Sequence, residues 1–280
     1  MEVISKLPKV GRFLRNRRLR TDGSESHPYL EFVNFEIGSM IKTLKHRSSM
    51  KRRRFRSAGH CKLCGKNIEG GKISSHLLEC REKLSAREGE SPVTMMQISV
   101  KGKHNPEYWL QIAVWNGAKL SDIDDFLRAA WLECCGHLSM FRINGERFKS
   151  ELEPANIRMF SLGNLPKSMS IKLHKVLEPG TVFEHDYDFG STTQLELEVL
   201  DVFRATKPSK TVTLLAHNLS PKIKCETCGE DATQICASCF ELSCLCDECG
   251  TKHKCGEDML MPLVNSPRVG VCGYCGPVRL

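Results

Sequence analysis

The first residues whose types and spacing could do chemistry are Cys61, Cys64, His76 and Cys80, in the pattern C-x2-C-x11-H-x3-C. Thiolate sulfur and imidazole nitrogen are the usual ligands of structural zinc, and a two-residue step between the first two ligands is typical of a zinc finger. His76 and Cys80 are four residues apart, so a helix would place them on one face. We therefore predict a zinc finger over residues 59–84, whose folding depends on its metal.

A second and denser group of potential ligands lies near the end of the sequence. Two tetrahedral sites need eight ligands and three need twelve, so this group favours two zinc sites with thiols to spare. Spacing alone leaves two arrangements open, because the pairs can interleave or Cys225, Cys228, Cys236 and Cys239 can hold one ion in sequence. The eleven candidates are Cys225, Cys228, Cys236, Cys239, Cys244, Cys246, Cys249, His253, Cys255, Cys272 and Cys275.

The interleaved arrangement resembles the cross-braced zinc modules of the MYND and B-box type. The resemblance implies one site at Cys225, Cys228, Cys246 and Cys249, and another at Cys236, Cys239, His253 and either Cys255 or Cys272. The short step from His253 to Cys255 departs from the MYND pattern, so the last ligand stays open. With the finger, we expect about three zinc ions per chain, each enclosed by four protein ligands and therefore structural.

Positive charge is concentrated before the finger. The whole chain has a formal net charge of +8, yet residues 1–60 contain 15 Lys/Arg and 5 Asp/Glu, a balance of +10. Dense cationic segments with interleaved Phe13 and Phe55 suit contacts with phosphates and unpaired bases, although a solvated tail would have the same composition. We predict a basic arm over residues 1–58, with a short helix between Tyr29 and Leu44, that binds DNA or RNA. The residues expected to contact nucleic acid are Arg12, Arg15, Arg17, Arg18, Arg20, Lys51, Arg52, Arg53, Arg54 and Arg56.

Cysteine usage restricts the cellular setting. Fifteen cysteines could form a disulfide scaffold, but many fall in pairs two residues apart, and the N-terminus lacks the apolar core and cleavage site of a secretory signal. The sequence contains no run of about 18 apolar residues that could cross a membrane. We therefore expect reduced, metal-bound thiols in a cytoplasmic protein associated with nucleic acid.

Hydrophobic patterning between the two cysteine-rich regions predicts the scaffold that positions them. An apolar stripe from Leu120 to Trp131, begun by a capping Ser121, predicts one principal helix. Alternation over Thr181–Ala205 predicts an antiparallel hairpin. We expect a compact α+β domain with a mixed or antiparallel sheet. Its other predicted strands cover Met96–Val100, Tyr108–Val114, Leu138–Ile143 and Met169–Leu173.

Two groups inside this scaffold could do chemistry but have simpler explanations. Asp186 and Asp188 share a face of their predicted strand, where paired carboxylates can bind a metal or act as acid and base, yet a solvated face with a turn explains them too. Cys134 and Cys135 follow the helix, close to His137. Buried thiols are the expectation there, with a reactive or metal-bound pair as the alternative. The sequence favours a protein without enzymatic activity.

Two segments of the central domain resemble a known family. They are Trp131–Gly145, which reads WLECCGHLSMFRING, and Phe183–Ser191, which ends in Tyr-Asp-Phe-Gly-Ser. Both are similar to the plasmid Ri ORF-three-like domain (pRiA4b type), which is labelled a TnpR-like insertion-element passenger. The tail Asn265–Gly276 resembles the ending of archaeal members that carry a cysteine-rich extension. The resemblance implies an α+β fold and supplies no activity.

These observations predict one preferred function and a division into segments. We expect a zinc-binding, non-enzymatic protein associated with nucleic acid, with a regulatory role or a link to a mobile element. The alternatives are a protein-interaction adaptor that uses the C-terminal zinc module and an enzyme that acts through the central domain. The predicted segments are the basic arm 1–58, the finger 59–84, a linker 85–91, the central domain 92–207, a linker 208–224 and the cross-braced zinc module 225–280.

Overall fold

A ten-stranded sheet organises the part of the chain that the structure, a computed structural model, describes: residues 57–85, 91–150, 165–239 and 243–277. These stretches belong to one compact unit, residues 55–280. The ten candidate nucleic-acid residues and the predicted Tyr29–Leu44 helix lie outside the described residues. None of the described helices is long and apolar enough to cross a lipid bilayer. The predicted α+β class is confirmed.

The strands of the main sheet run in the spatial order β2-β1-β10-β4-β3-β9-β8-β5-β6-β7. All neighbours are antiparallel except β6 and β7. Two helices accompany this sheet, α1 (Ile73–Cys80) and α2 (Leu120–Leu127). The strands are β1 (Gly59–Cys61), β2 (Asn67–Ile68), β3 (Val93–Gly102), β4 (Trp109–Trp115), β5 (Ser139–Ile143), β6 (Glu146–Lys149), β7 (Lys167–Ser168), β8 (Val182–Tyr187), β9 (Thr193–Ala205) and β10 (Val212–Asn218).

A second, three-stranded sheet lies in the C-terminal region, in the order β12-β11-β13. A single-turn helix, α3 (Asp247–Thr251), lies between its last two strands in the chain. The strands are β11 (Gln234–Cys236), β12 (Cys244–Leu245) and β13 (Leu260–Pro262). Both neighbours of β11 are antiparallel to it.

The predicted hairpin forms the centre of the main sheet. Strands β8 and β9 pair from Val182 opposite Glu198 to Tyr187 opposite Thr193. Strand β9 is long enough to pair along its other edge with the whole of β3, with a bulge between Gln97 and Ile98. Strand β9 therefore joins the two halves of the main sheet, and the alternation that predicted the hairpin identified this strand.

One predicted strand is wrong. Around Met169 and Ile171 the backbone carbonyls accept hydrogen bonds from the N–H groups of Leu120 and Ser121, at the start of α2. The chain forms only the two-residue β7 there and then a 3-10 turn over Leu173–Lys175. The apolar alternation in this segment reflects burial beside a helix N-terminus, where the backbone partners are helix N–H groups.

The central strands are buried on both faces, because successive side chains of a strand point in opposite directions. Met96 belongs to the core beneath α2, and its neighbour Met95 belongs to a second core on the other face. The finger supplies the cover for that second core, with Leu77 of α1 fully buried. Strand β10, which falls within the predicted linker 208–224, pairs with β1 of the finger and β4 of the central domain.

A buried polar network joins α2 to the hairpin. His185 is fully buried, and its Nε2 donates to Asp124 Oδ1 at 2.6 Å. Ser139 Oγ and Arg128 Nε donate to the other carboxylate oxygen, at 2.9 and 3.0 Å. Burial acts to raise the pKa of Asp124, but these donors, with His185 first, hold that pKa below its ordinary value.

We expect Asp124→Asn to lower the free energy of unfolding by about 3–5 kcal/mol, because it removes the anion that the fully buried His185 shares with Arg128, which then keeps Glu133 as its anion. The difference from wild type should be complete above the ordinary carboxyl pKa of about 3.9 and should shrink as the pH falls below it. Denaturant unfolding at several pH values measures both effects. Asp125→Asn, on the exposed side of the same helix turn, is the matched control and should change stability little.

Candidate metal centres

The finger brings together its four predicted ligands. Cys61 lies on β1 and Cys64 on the following turn, while His76 and Cys80 occupy successive turns of α1. His76 Nε2 lies 3.3 Å from Cys64 Sγ and 3.1 Å from Cys80 Sγ. Gly65, with φ +74°, lets the chain turn tightly after the second thiol. We call these residues the finger cluster.

The C-terminal region holds two further clusters of four ligands. The four-cysteine cluster contains Cys225, Cys228, Cys246 and Cys249, with the Cys228 and Cys246 sulfurs 3.6 Å apart. Strand β11 passes between its two pairs in the sequence, and α3 carries Cys249. The pairs therefore interleave along the chain, in the arrangement that the MYND-type resemblance implied.

The C-terminal histidine cluster contains Cys236, Cys239, His253 and Cys255. Cys239 Sγ lies 3.2 Å from His253 Nε2 and 3.7 Å from Cys255 Sγ. Of the two cysteines left open as the last ligand, Cys255 lies in this cluster. Cys272 lies elsewhere.

A fourth cluster, which we call the bridging cluster, contains Cys134, Cys135, His137 and Cys272. Cys135 Sγ lies 3.0 Å from His137 Nε2 and 3.8 Å from Cys272 Sγ, although Cys272 follows it by 137 positions. The predicted burial of both vicinal thiols is wrong, since Cys135 is exposed and Cys134 only partly buried. The chain leaves the π-turn Arg128–Leu132 in extended conformation, and Gly136 at φ +79° turns it along the surface.

The donor atoms of each of the four clusters lie within 4.8 Å of one another, close enough to share one zinc ion. With Zn–S bonds of about 2.3 Å and Zn–N bonds of about 2.0 Å, neighbouring ligands should be about 3.5–3.8 Å apart. The sulfur–sulfur distances given above, 3.6–3.8 Å, match this range, and the sulfur–nitrogen distances, 3.0–3.3 Å, are a few tenths of an ångström shorter. Thirteen of the 15 cysteines belong to a cluster, leaving Cys244 and Cys275 outside. Each cluster offers a closed set of soft ligands, which suits zinc held for structure.

Backbone amides prepare individual sulfurs to bind a cation. A hydrogen bond from the backbone of Lys66 lowers the pKa of the Cys64 thiol to about 6. A hydrogen bond from the backbone of Cys246 does the same for Cys225. One thiol in each of these clusters shifts in the opposite direction: burial raises the pKa of Cys80 to about 11, and a hydrogen bond with Cys228 raises the pKa of Cys249 to about 12. Such divergence arises because thiolates this close repel one another unless a cation neutralises them.

The carboxylates considered as a catalytic pair are engaged separately. Asp186 pairs with Arg142, whose guanidinium also reaches Glu184. Asp188 pairs with the fully buried Arg268 at 2.8 Å and accepts a hydrogen bond from the Gly190 N–H at 3.0 Å. The two carboxylates thus neutralise different arginines, and Asp188 stabilises the turn that follows β8. No sequence pattern indicated the role of Arg268.

Comparisons with known proteins identify no family for the chain. No family model and no curated protein sequence matches it. A solved structure of a protein of unknown function from Methanosarcina mazei Go1 aligns with 50% of this chain and 77% of its own, at 16% identity and a TM-score of 0.39. This likeness carries neither a family nor a function to the chain.

The interleaved pairing predicts the outcome of two double substitutions. Cys228→Ser with Cys246→Ser disrupts one cluster and should remove one zinc ion per chain. Cys228→Ser with Cys239→Ser disrupts both C-terminal clusters and should remove two. Zinc content of the purified full-length variants, measured against protein concentration, distinguishes them, and sequential pairing would give the reverse result.

Proposed function

We propose that this is a zinc-stabilised binding protein without catalytic activity, which associates with DNA or RNA through its basic arm. One observation carries the non-catalytic part: each cluster supplies four protein ligands and so leaves no coordination position for a substrate. Catalytic zinc keeps such a position open, whereas structural zinc is enclosed. The residues that could have formed an acid–base pair, Asp186 and Asp188, are engaged with arginines.

The distribution of charge supports the arm as the part that contacts nucleic acid. Residues 1–60 carry a net charge of +10, whereas residues 225–280 contain 4 Lys/Arg and 8 Asp/Glu, a balance of −4. A polyanion is attracted to the first segment and repelled by the second. On this proposal the sheet and zinc clusters form the rigid body, and the arm supplies affinity. On the same proposal the protein is cytoplasmic, and its role is regulatory or linked to a mobile element.

We also propose membership of the plasmid Ri ORF-three-like family. Two sequence marks of that resemblance, the Tyr187–Ser191 element and the tail Asn265–Gly276, contact each other through Arg268. The Arg268 Nη1 group donates to the Ser191 carbonyl at 3.2 Å, and the guanidinium carbon lies 4.8 Å from the Tyr187 ring centre. A contact between these two segments supports the proposal that both belong to one family architecture.

A protein partner at the C-terminal module is the second candidate function. A cavity of about 480 Å³ lies beside strand β13, lined by both polar and apolar groups that include Asp247, Glu257 and Leu260. The acidic balance of this module favours a basic protein segment over a nucleic acid. Capture of such a partner by the full chain, abolished by Asp247→Lys with Glu257→Lys, would support this function.

We expect the full-length protein to bind a labelled single-stranded oligonucleotide with an affinity that falls steeply with salt. Replacing Lys51, Arg52, Arg53, Arg54 and Arg56 by Gln should weaken binding and flatten the slope of log affinity against log salt, by about 0.7 for each phosphate that the variant no longer neutralises. Fluorescence anisotropy over a salt series measures both quantities. The same experiment with DNA and RNA oligonucleotides of one sequence compares the two nucleic acids, and a duplex probe compares single with double strands.

The control replaces five cations near the other end of the chain, Lys210, Lys222, Lys224, Lys252 and Lys254, by Gln. It changes the net charge equally and should leave the salt slope unchanged. Equal weakening by both sets would mean that total charge, and not the arm, governs binding. Unaltered binding by the arm variant would contradict the proposal.

A further inference from the structure

We propose that the bridging cluster is a fourth zinc site, and that its metal works as a clasp which fastens the C-terminal segment Asn265–Tyr274 to the central sheet. This inference is independent of nucleic-acid binding. It rests on the position of Cys272 beside Cys134, Cys135 and His137, and on the contacts of the residues around them.

The two halves of the site come from distant parts of the chain. Cys134, Cys135 and His137 follow the π-turn at the end of α2, and Cys272 comes from the tail. Three ligands within four residues cannot close a tetrahedron around zinc, and one tail cysteine completes it. In the other three clusters all ligands belong to the same local module. Only the bridging cluster, among those in the described residues, therefore couples metal binding to the docking of one segment on another.

Hydrogen bonds hold the helix-side ligands in place. The Gly136 N–H donates to Glu133 Oε1 at 2.5 Å, and Arg128 Nη2 donates to the His137 carbonyl at 2.5 Å. Tyr187 Oη donates to the same Glu133 oxygen at 3.0 Å and accepts from the His137 N–H at 3.3 Å. Supporting groups of this kind orient metal ligands and strengthen metal binding. The half-site is therefore held in shape by residues other than Cys272.

Contacts of the tail on either side of Cys272 hold this ligand next to the half-site. Ser266 Oγ donates to the Trp131 carbonyl at 2.8 Å, at the π-turn that precedes the vicinal cysteines. Arg268 is fully buried, and its Nη2 group lies 3.4 Å from Cys134 Sγ and 2.8 Å from Asp188 Oδ2. Tyr274 is also buried, on the far side of Cys272. These anchors fix the chain on both sides of the ligand.

The charges around the site match a zinc ion bound by three thiolates. Such a centre has one net negative charge, since three thiolates exceed the two positive charges of zinc. The buried Arg268 guanidinium lies between Cys134 Sγ, at 3.4 Å, and Asp188 Oδ2, at 2.8 Å, so its positive charge is shared by the metal centre and that carboxylate. The arginine thus serves both the docked tail and the metal centre.

The exposure of its ligand residues distinguishes this site from the other three. Two of its ligands, Cys135 and Cys272, are exposed, whereas the four-cysteine cluster has one exposed ligand and the remaining two clusters have none. A chelator reaches exposed ligands first. The bridging cluster should therefore lose its zinc before the other three clusters do, and the tail should be released when that happens.

Native mass spectrometry of the full-length protein tests the stoichiometry. The wild type should carry four zinc ions, one for each cluster. Cys272→Ser should carry one fewer, while Cys275→Ser, which alters the next cysteine of the same tail outside every cluster, should match the wild type. A wild type with one zinc fewer, or a Cys272→Ser variant with unchanged zinc content, would overturn the proposal. So would a disulfide between Cys135 and Cys272, visible as a loss of two hydrogens in the intact mass.

Two further measurements test the clasp itself. With a colorimetric chelator, one zinc ion per chain should be released ahead of the others, in a phase that Cys272→Ser lacks and Cys275→Ser retains. Hydrogen exchange of residues 264–277 should accelerate in Cys272→Ser and stay slow in Cys275→Ser. If Cys272→Ser fails to fold, Cys135→Ser replaces it with the same expectations. Exchange rates in the tail that do not depend on zinc would refute the clasp.

Discussion

Burial of both faces of the central strands is the constraint on which the rest of the structure depends. Strands β3, β4, β9 and β10 present apolar side chains on alternate sides. One side is covered by α2, and the other by the finger. A sheet with a bare apolar face would leave that surface in contact with water, so the finger is part of the core and not an appended module.

This packing gives the finger cluster a second structural role. Cys61 and Cys80 are buried in the same core as Leu77, Met95 and Ala113. An ion held by the finger cluster would therefore also shape the surface that covers the sheet. Arg81, immediately after α1, extends the attachment by donating to Gln97 at 2.9 Å and pairing with Asp201 at 2.5 Å. The ligand cluster, the helix and the buried face of the sheet are coupled here because the same residues take part in each.

Arg268 joins separate elements in a similar way near the C-terminal end of the described residues. A fully buried guanidinium needs an anion and hydrogen-bond acceptors, and this one finds them in Asp188, Thr193 and the Ser191 carbonyl. All three lie at the end of the central hairpin, where Asp188 adopts a left-handed conformation with φ +65°. The hairpin turn, the tail and the bridging cluster are consequently one structural region, although the sequence separates them widely.

Local patterns were sufficient wherever a residue and its partners are close in the chain. The finger ligands, the interleaved cysteine pairs, the principal helix and the Thr181–Ala205 hairpin all follow from spacing and periodicity. The Met169–Leu173 segment shows the limit, since its alternation was real but its hydrogen-bond partners were helix N–H groups that no local pattern specifies. The predicted linker 208–224 shows it again, because the partners of β10 come from residues 59–61 and 110–114.

The sequence by itself thus determined the α+β class, the local ligand sets and the concentration of positive charge in the arm. Only the tertiary structure decided that Cys255 completes the C-terminal histidine cluster, that Cys272 joins Cys134, Cys135 and His137, and that the finger covers the sheet. The physical reason is that coordination and packing depend on distance in space. A two-residue step between cysteines fixes that distance locally, whereas two residues 137 positions apart meet only after strands, helix and tail have found their places.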